Sequence, residues 1–299
     1  MASGTAFSIY DIIETADQLL TTNGYEVHQK LYYPVEGKKR ICNCIWKYTV
    51  DDMPVFIQLR ADIETHKRLF VDCPTACDEL LYCWEQPGSI AQWLHVKSMN
   101  DFSKSIPMIT LEYGELFPYF MLINERRLII SCRESVEYET AYIGYFDALN
   151  KSRQYAYPVF VSGNGACSSH MYPDTSGSFI NNLSGNSWVR QPSGEWYNFS
   201  EMKDNKGNGT SLFPYNSTTR GFVTSIWYDY KNQTRFYLMP ILVPHGNDNS
   251  IAGKLNGVYY ISGDRDLRAE DIVHINNKKY IILDNKMDKG KNTYFAVAL

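Results

Sequence analysis

Long apolar runs, a basic excess and clustered catalytic side chains are all missing from this chain of 299 residues. No stretch approaches the roughly 20 apolar residues that span a bilayer as a helix. The opening MASGTAFSIYDIIETADQLL has neither a positive start nor a continuous apolar core, so it does not read as a signal peptide. The net charge is −4 and the longest basic run is Lys38-Lys39-Arg40, which excludes the electrostatic footprint of a nucleic-acid binder. His28, His66, His95, His170, His245 and His274 form no HxH or HExxH pattern. The glycines of GNGAC and KGNGTS match neither a phosphate loop nor a dinucleotide fingerprint and read as turns. Cysteine is odd in number, 7, which fits reduced thiols better than a disulfide framework. With no secretion signal, folding in a cytoplasm is expected.

What the chain does have is aromatic surface. Charged residues (21%) and hydrophobic residues (44%) are near globular averages, so disorder is not expected, but 23 tyrosines raise the aromatic share to 14%. Tyrosine joins a flat apolar body to a hydroxyl that tolerates water, which suits strand faces and subunit contacts.

Several groups of residues invite a chemical reading. Cys42, Cys44, Cys73, Cys77 and Cys83 lie close enough in sequence to raise structural zinc. The competing reading is ordinary buried thiols, because Cys-x-Cys on a strand points both side chains to one face and the second set lacks CxxC spacing. Cys167-Ser168-Ser169-His170 places thiol, hydroxyl and imidazole together, but dyads meet through the fold and not by adjacency, so an exposed turn is expected. The carboxylates of DIET (62–65) and DEL (78–80) could pair as a glycosidase acid and base, but so could others in a chain with 33 acidic residues. GDRDLRAED (263–271) lacks EF-hand spacing and reads as a solvated turn. Sequons begin at Asn182, Asn198, Asn208, Asn216 and Asn232, and without a secretion signal they read as by-products of Asn- and Ser-rich loops. No cofactor is expected.

The pattern along the chain gives the organisation. Ser8 to Asn23 reads as a helix: Ile9, Ile12, Ile13, Ala16, Leu19 and Leu20 form one stripe, Ser8 caps the start and Gly24 ends it. RICNCIWKYTV and MPVFIQLRADIE read as strands about an Asp51-Asp52 turn, and YFMLI and RLIIS as a hairpin about NER. VEYETAYIGYFDAL reads as a helix through Val136, Tyr142, Ile143 and Phe146. DIVHI and KYIIL form a hairpin about Asn276-Asn277, and the final strand is tied into a sheet. The fold class expected is α+β: an N-terminal helix-on-antiparallel-sheet domain over 1–155, then a β-rich domain over 156–299 with a loop-rich insertion at about 166–250.

YIGYFDALNKSRQYAYPVFVSGNG, from Tyr142 to Gly165, concentrates the puzzle: Tyr142, Tyr145, Tyr155 and Tyr157 with Pro158, and Asp147 as its one acid. An aromatic segment leading into Ser-x-Gln-Tyr-x-Tyr-Pro, a β-branched strand and a Gly/Ser turn resembles virion structural proteins of tailed bacteriophages and prophages. EQPGS (85–89), YFMLINERRLIIS and the C-terminal LNGVYYISG, AEDIVHINNKKYIILDN and YFAVAL resemble the same group. The resemblance implies a non-enzymatic ring or collar component at the head–tail neck, located in the virion after assembly in the bacterial host cytoplasm. The alternatives are a baseplate or receptor-binding component and a tail-carried carbohydrate-active enzyme. The partners implied are further copies of the chain, sixfold or a multiple of it, and neighbouring connector, terminator, sheath or baseplate proteins, with neither direct nucleic-acid recognition nor membrane contact. Tyr142, Tyr145, Phe146, Tyr155, Tyr157 and Pro158 are the candidate interface or scaffold residues.

Overall fold

A computed structural model describes residues 1–78, 81, 85–96, 106–111, 114–134, 137–149, 158–163, 165–166, 187–199, 212, 238–245, 250–261, 267–284 and 294–299. The elements run β1 (Ala2–Ala6), α1 (Ile9–Thr22), β2 (Glu26–Val35), β3 (Lys38–Val50), β4 (Met53–Ala61), β5 (Arg68–Asp72), α2 (Ile90–Trp93) and β6 (Pro107–Thr110). They continue with β7 (Phe117–Asn124), β8 (Arg127–Glu134), β9 (Glu137–Tyr145), β10 (Asp147–Ala148), β11 (Val159–Ser162), β12 (Gly165–Ala166), β13 (Ser187–Arg190) and β14 (Trp196–Asn198). The last are β15 (Leu238–His245), β16 (Ser250–Ile261), β17 (Ile272–Ile275), β18 (Lys278–Asp284) and β19 (Tyr294–Ala298).

These strands form three antiparallel sheets. Sheet I has the order β1-β7-β8-β9-β11-β13-β14, and sheet II the order β12-β6-β5-β4-β3-β2. Sheet III has the order β10-β16-β19-β18-β17, with β15 also paired to β16. Sheet I is the middle layer, and its alternation proves it. Leu128, Ile130, Ala141, Ile143, Val159, Val161 and Trp188 join one buried cluster with α1 and sheet II. Their sequence neighbours Ile129, Tyr142, Phe160 and Val189 join a second cluster with sheet III. Successive strand residues point to opposite faces, so a strand between two layers buries apolar groups at every position.

The expected α+β class is corrected by this architecture. Strand makes up 61% of the described residues and helix 9%, so among the described residues two helices, one of them four residues long, accompany three sheets instead of founding a helix-on-sheet domain. The helix expected over VEYETAYIGYFDAL is strand: β9, then β10. With apolar side chains on both faces the period of two disappears from the sequence, and the residual three-or-four spacing imitates a helix. The hairpin readings hold, while Gly165 of GNGAC, read as a turn, lies in strand β12. The turns at Asp51-Asp52, Glu125-Arg126 and Asn276-Asn277 each close a two-residue hairpin. The C-terminal β19 lies between β16 and β18, inside sheet III. Of the 166–250 region, the described parts are mainly strands β13, β14 and β15.

Helix α1 forms as its stripe dictates. Ile9, Tyr10, Ile12, Ile13, Ala16 and Leu20 are buried, the Ser8 hydroxyl accepts from the Asp11 amide at 3.3 Å, and Gly24 takes φ +87°. Polar clasps fix its opposite edge to sheet II. Arg40 donates to both Asp11 and Glu14, while Asp17 accepts from Lys30 Nζ at 2.7 Å and Trp46 Nε1 at 3.0 Å. Partial burial works to raise the Asp11 carboxyl, but the Phe7 amide, Arg40 and Ser8 together hold it below the ordinary value. A lowered folded value means the stabilisation is full above the unfolded pKa and is lost as pH falls through the folded one. Asp11→Asn is therefore expected to cost about 1 kcal/mol in denaturant unfolding at neutral pH. That difference is expected to shrink as the pH is taken down through and below the ordinary aspartate range. A difference that persists in acid contradicts this assignment.

Candidate functional site

The candidate residues of the YIGYFDAL stretch sit where the chain passes between layers. β9 ends in sheet I at Tyr145, and Asp147-Ala148 already pairs with Lys254 and Gly253 in sheet III. Phe146 alone makes the crossing; it is fully buried, and its amide donates to the Pro158 carbonyl at 2.9 Å. Tyr142 and Tyr145, an odd number of positions apart on one strand, point opposite ways. Tyr142 joins the cluster with sheet III and donates to the Tyr145 carbonyl at 2.6 Å. Tyr145 joins the cluster with sheet II and donates to the Pro54 carbonyl at 2.7 Å. Pro158 is buried as well. Tyr155 and Tyr157 lie outside the described residues.

A buried polar joint surrounds this crossing. Arg127 is 2% exposed; its Nε donates to the Asn256 carbonyl at 2.6 Å and NH1 to the Leu122 carbonyl at 3.2 Å. The Asn256 side chain accepts from Asn124 Nδ2 at 2.6 Å and donates to Asp147 at 2.8 Å. Asn124 Oδ1 accepts the amides of Arg126 and Arg127, and its carbonyl accepts the Tyr25 hydroxyl at 3.0 Å. Burial works against the charge on Arg127 and lowers its pKa, partly offset by Tyr142, Tyr25 and Asp147. Two glycines make room. A Cβ on Gly144, at φ +137°, would lie 2.3 Å from the Arg126 carbonyl oxygen, and one on Gly257, at φ +64°, 2.8 Å from Arg127 NH2. A second clasp between sheets I and III is Glu270, which accepts from Arg133 at 2.7 Å and Tyr138 at 2.6 Å.

The outer face of sheet II carries another buried polar group. Asn43 bridges Gln29 and Gln58 across three strands, at 3.2 and 2.9 Å. Beside them Arg60 stacks on Phe70 with its guanidinium carbon 4.7 Å from the ring centroid, and Asp72 accepts the amides of Cys73, Ile90 and Ala91 at 2.8–3.0 Å. Burial raises the Asp72 carboxyl above its ordinary value, against the pull of those amides and of Arg60. Asp72 thereby pins α2 over the sheet. Gln29 Nε2 bonds the Leu81 carbonyl and Trp196 Nε1 the Gly88 carbonyl, so the described parts of the 73–96 strap are held at three places. The cavity beneath, lined by Gln58, Arg60, Phe70, Asp72, Ala91 and Ile106, measures about 10 Å³. That is room for about one water. The group holds a strap; it has no space for a substrate.

The remaining candidates are structural or lie beyond description. Cys42 and Cys44 are buried on one face of β3 in the core, and burial raises the Cys44 thiol. Cys73 is buried and donates to the Phe56 carbonyl at 2.7 Å, and Cys77 is half-buried. Cys83 and the Cys167–His170 turn lie outside the described residues. Among the described residues no three His, Cys, Asp or Glu side chains converge as a metal site would require. Asp62 of DIET is fully buried and bonds the amides of Glu64 and Thr65, so it builds the β4–β5 turn. Arg127, Asn256 and Asp72 escaped the sequence reading. Asn124 before Glu-Arg-Arg was a turn signal, but its partner Asn256 lies 132 positions away. No family model matches the chain, and no curated protein matches it either.

Asp72→Asn keeps the shape of the side chain but replaces one acceptor oxygen with a donor. One of the α2 amides then loses its partner, at about 1–3 kcal/mol. Limited proteolysis is expected to cut the variant faster within 73–96 while the sheets remain intact. Unchanged cleavage and unchanged stability contradict the strap assignment.

Proposed function

We propose that this chain is a non-enzymatic structural protein of a tailed-phage virion, an oligomeric ring or collar component at the head–tail neck. The observation that carries the reading is how the polar and apolar groups are divided. The buried Arg127, Asp72 and Asp62 and the half-buried Asp147 bond backbone or side chains of the protein's own layers. Meanwhile Phe7 (55%), Trp93 (45%), Leu116 (59%) and Leu149 (66%) stand exposed, as do Tyr32 and Tyr33. Aromatic and large apolar side chains are what subunit contacts bury, and an assembly protein needs rigid layers more than a cleft. Phe7 and Leu116 are neighbours, because Ala6 pairs Phe117 and the Phe7 carbonyl accepts the Gly114 amide. The neck placement itself rests on the resemblance of the Tyr142–Gly165 and C-terminal segments to phage virion proteins.

Gold-labelled antibody raised against the purified chain tests the placement on intact particles. Label at the head–tail junction is the expected result. Label at the distal tail tip overturns the neck assignment in favour of a baseplate or receptor-binding part, and particles without label overturn the virion role.

A further inference from the structure

A sheet edge is a row of unpaired backbone donors and acceptors, and proteins that stay apart blunt such edges with bulges, prolines, lysines or brevity. Two long edges of this protein are blunted. β2 has register shifts between Val27 and Gln29 and between Leu31 and Tyr32, with Pro34 near its end. β15 has shifts beside Pro240 and Pro244. β14 and β12 are only 3 and 2 residues long. β1 is regular, but its exposed positions are Ser3, Gly4 and Thr5, which offer no apolar anchor.

β17 differs from all of these. Among the described residues it ends sheet III, its register with β18 is unbroken, and its four residues Ile-Val-His-Ile include no proline, lysine or carboxylate. Asn276 and Asn277 take φ +51° and +61°, the left-handed pair that a two-residue hairpin needs. That turn makes Ile275–Lys278 the hydrogen-bonded closing pair, so Val273 and Ile275 direct their backbone groups to β18. The Ile282 amide bonding the Asp271 carbonyl at 2.9 Å has the same parity. The backbone groups of Ile272 and His274 therefore face away from the sheet. Ile272 is 46% exposed, and His274 is exposed on the same face.

We propose that the β17 edge pairs with the β17 edge of a second copy of this chain, antiparallel, about a two-fold axis at Val273. The register is self-complementary. Ile272 and His274 of one copy become the hydrogen-bonded partners of His274 and Ile272 of the other, which satisfies every outward group of the strand. Each exposed isoleucine packs on a histidine ring across the pair. Asp271 falls opposite Ile275, so no like charges oppose one another. The pairing joins two sheets III into one, and it stands independently of where in a particle the chain works.

The full chain with Val273→Cys tests the axis. Residues facing themselves in a non-hydrogen-bonded pair have Cα atoms about 4.5 Å apart, within disulfide reach. Mild oxidation is expected to give a covalent dimer with this variant and not with the natural sequence, which mass photometry is expected to show as a reversible dimer at micromolar concentration. His274→Pro removes an outward N–H that the β17–β18 hairpin does not use, and Ile272→Lys puts a charge at the seam. Each is expected to weaken the dimer at least tenfold with unchanged melting; where the proline variant misfolds, the lysine variant decides. A natural chain that stays monomeric at tens of micromolar overturns the proposal. So does an oligomer that survives Ile272→Lys, or a natural dimer whose Val273→Cys variant gives no covalent dimer on oxidation. None of these results bears on the antibody label, so the edge pairing and the virion role fail separately.

Discussion

Arg127 is a charge placed where three layers meet, and the protein is arranged around keeping it bonded. Its guanidinium is 2% exposed, yet it reaches the Asn256 carbonyl in sheet III and the Leu122 carbonyl in sheet I. A buried guanidinium left without acceptors would cost several kcal/mol. The β7–β8 turn, the β16 backbone and the β9–β10 crossing must therefore hold their relative positions to a fraction of an ångström. Asn256 meets that demand with all its polar groups, bonding Asn124, Asp147, Tyr142 and Arg127. Gly144 and Gly257 let the backbones approach closely enough.

The joint matters because hydrophobic burial alone is non-directional. The clusters on the two faces of sheet I are large and built from interchangeable shapes: isoleucine, valine, phenylalanine and tyrosine. They bring sheets II and III onto sheet I but do not by themselves fix a register. Directional bonds do that at the crossing and at the Glu270 clasp to Arg133 and Tyr138. On the far side of sheet II, Asp72 performs the same service for the 73–96 strap. The tyrosines that make this sequence unusual follow this division of labour: Tyr25, Tyr138 and Tyr145 each bury a ring in one layer and donate to a group in another, and the Tyr142 hydroxyl accepts the Asn256 amide of sheet III.

Where structure is local, the sequence was legible. The apolar stripe and Ser8 cap of α1, the paired aspartates and asparagines of the hairpin turns, and the same-face burial of Cys42 and Cys44 were all readable from spacing. The middle layer was not. β9 carries Ala141, Tyr142 and Ile143 in succession, buried on alternate faces, and a strand apolar on both sides has no visible period. The joint was equally hidden, since Asn124 and Asn256 are ordinary polar residues until the fold brings them to 2.6 Å. VEYETAYIGYFDAL read as a helix; the structure makes it a strand that changes sheets at Phe146.

Native-state hydrogen exchange of the natural chain and of Arg127→Met tests most directly whether this joint makes the layers one cooperative body. In the natural chain the slowest amides of β3–β4 and of β16–β19 are expected to open with the same free energy, as one unit. In the variant two carbonyls lose their donor, and β16–β19 is expected to open about 2 kcal/mol or more below β3–β4. Layers that already open separately in the natural chain, or a variant with unchanged protection in both, would contradict the account.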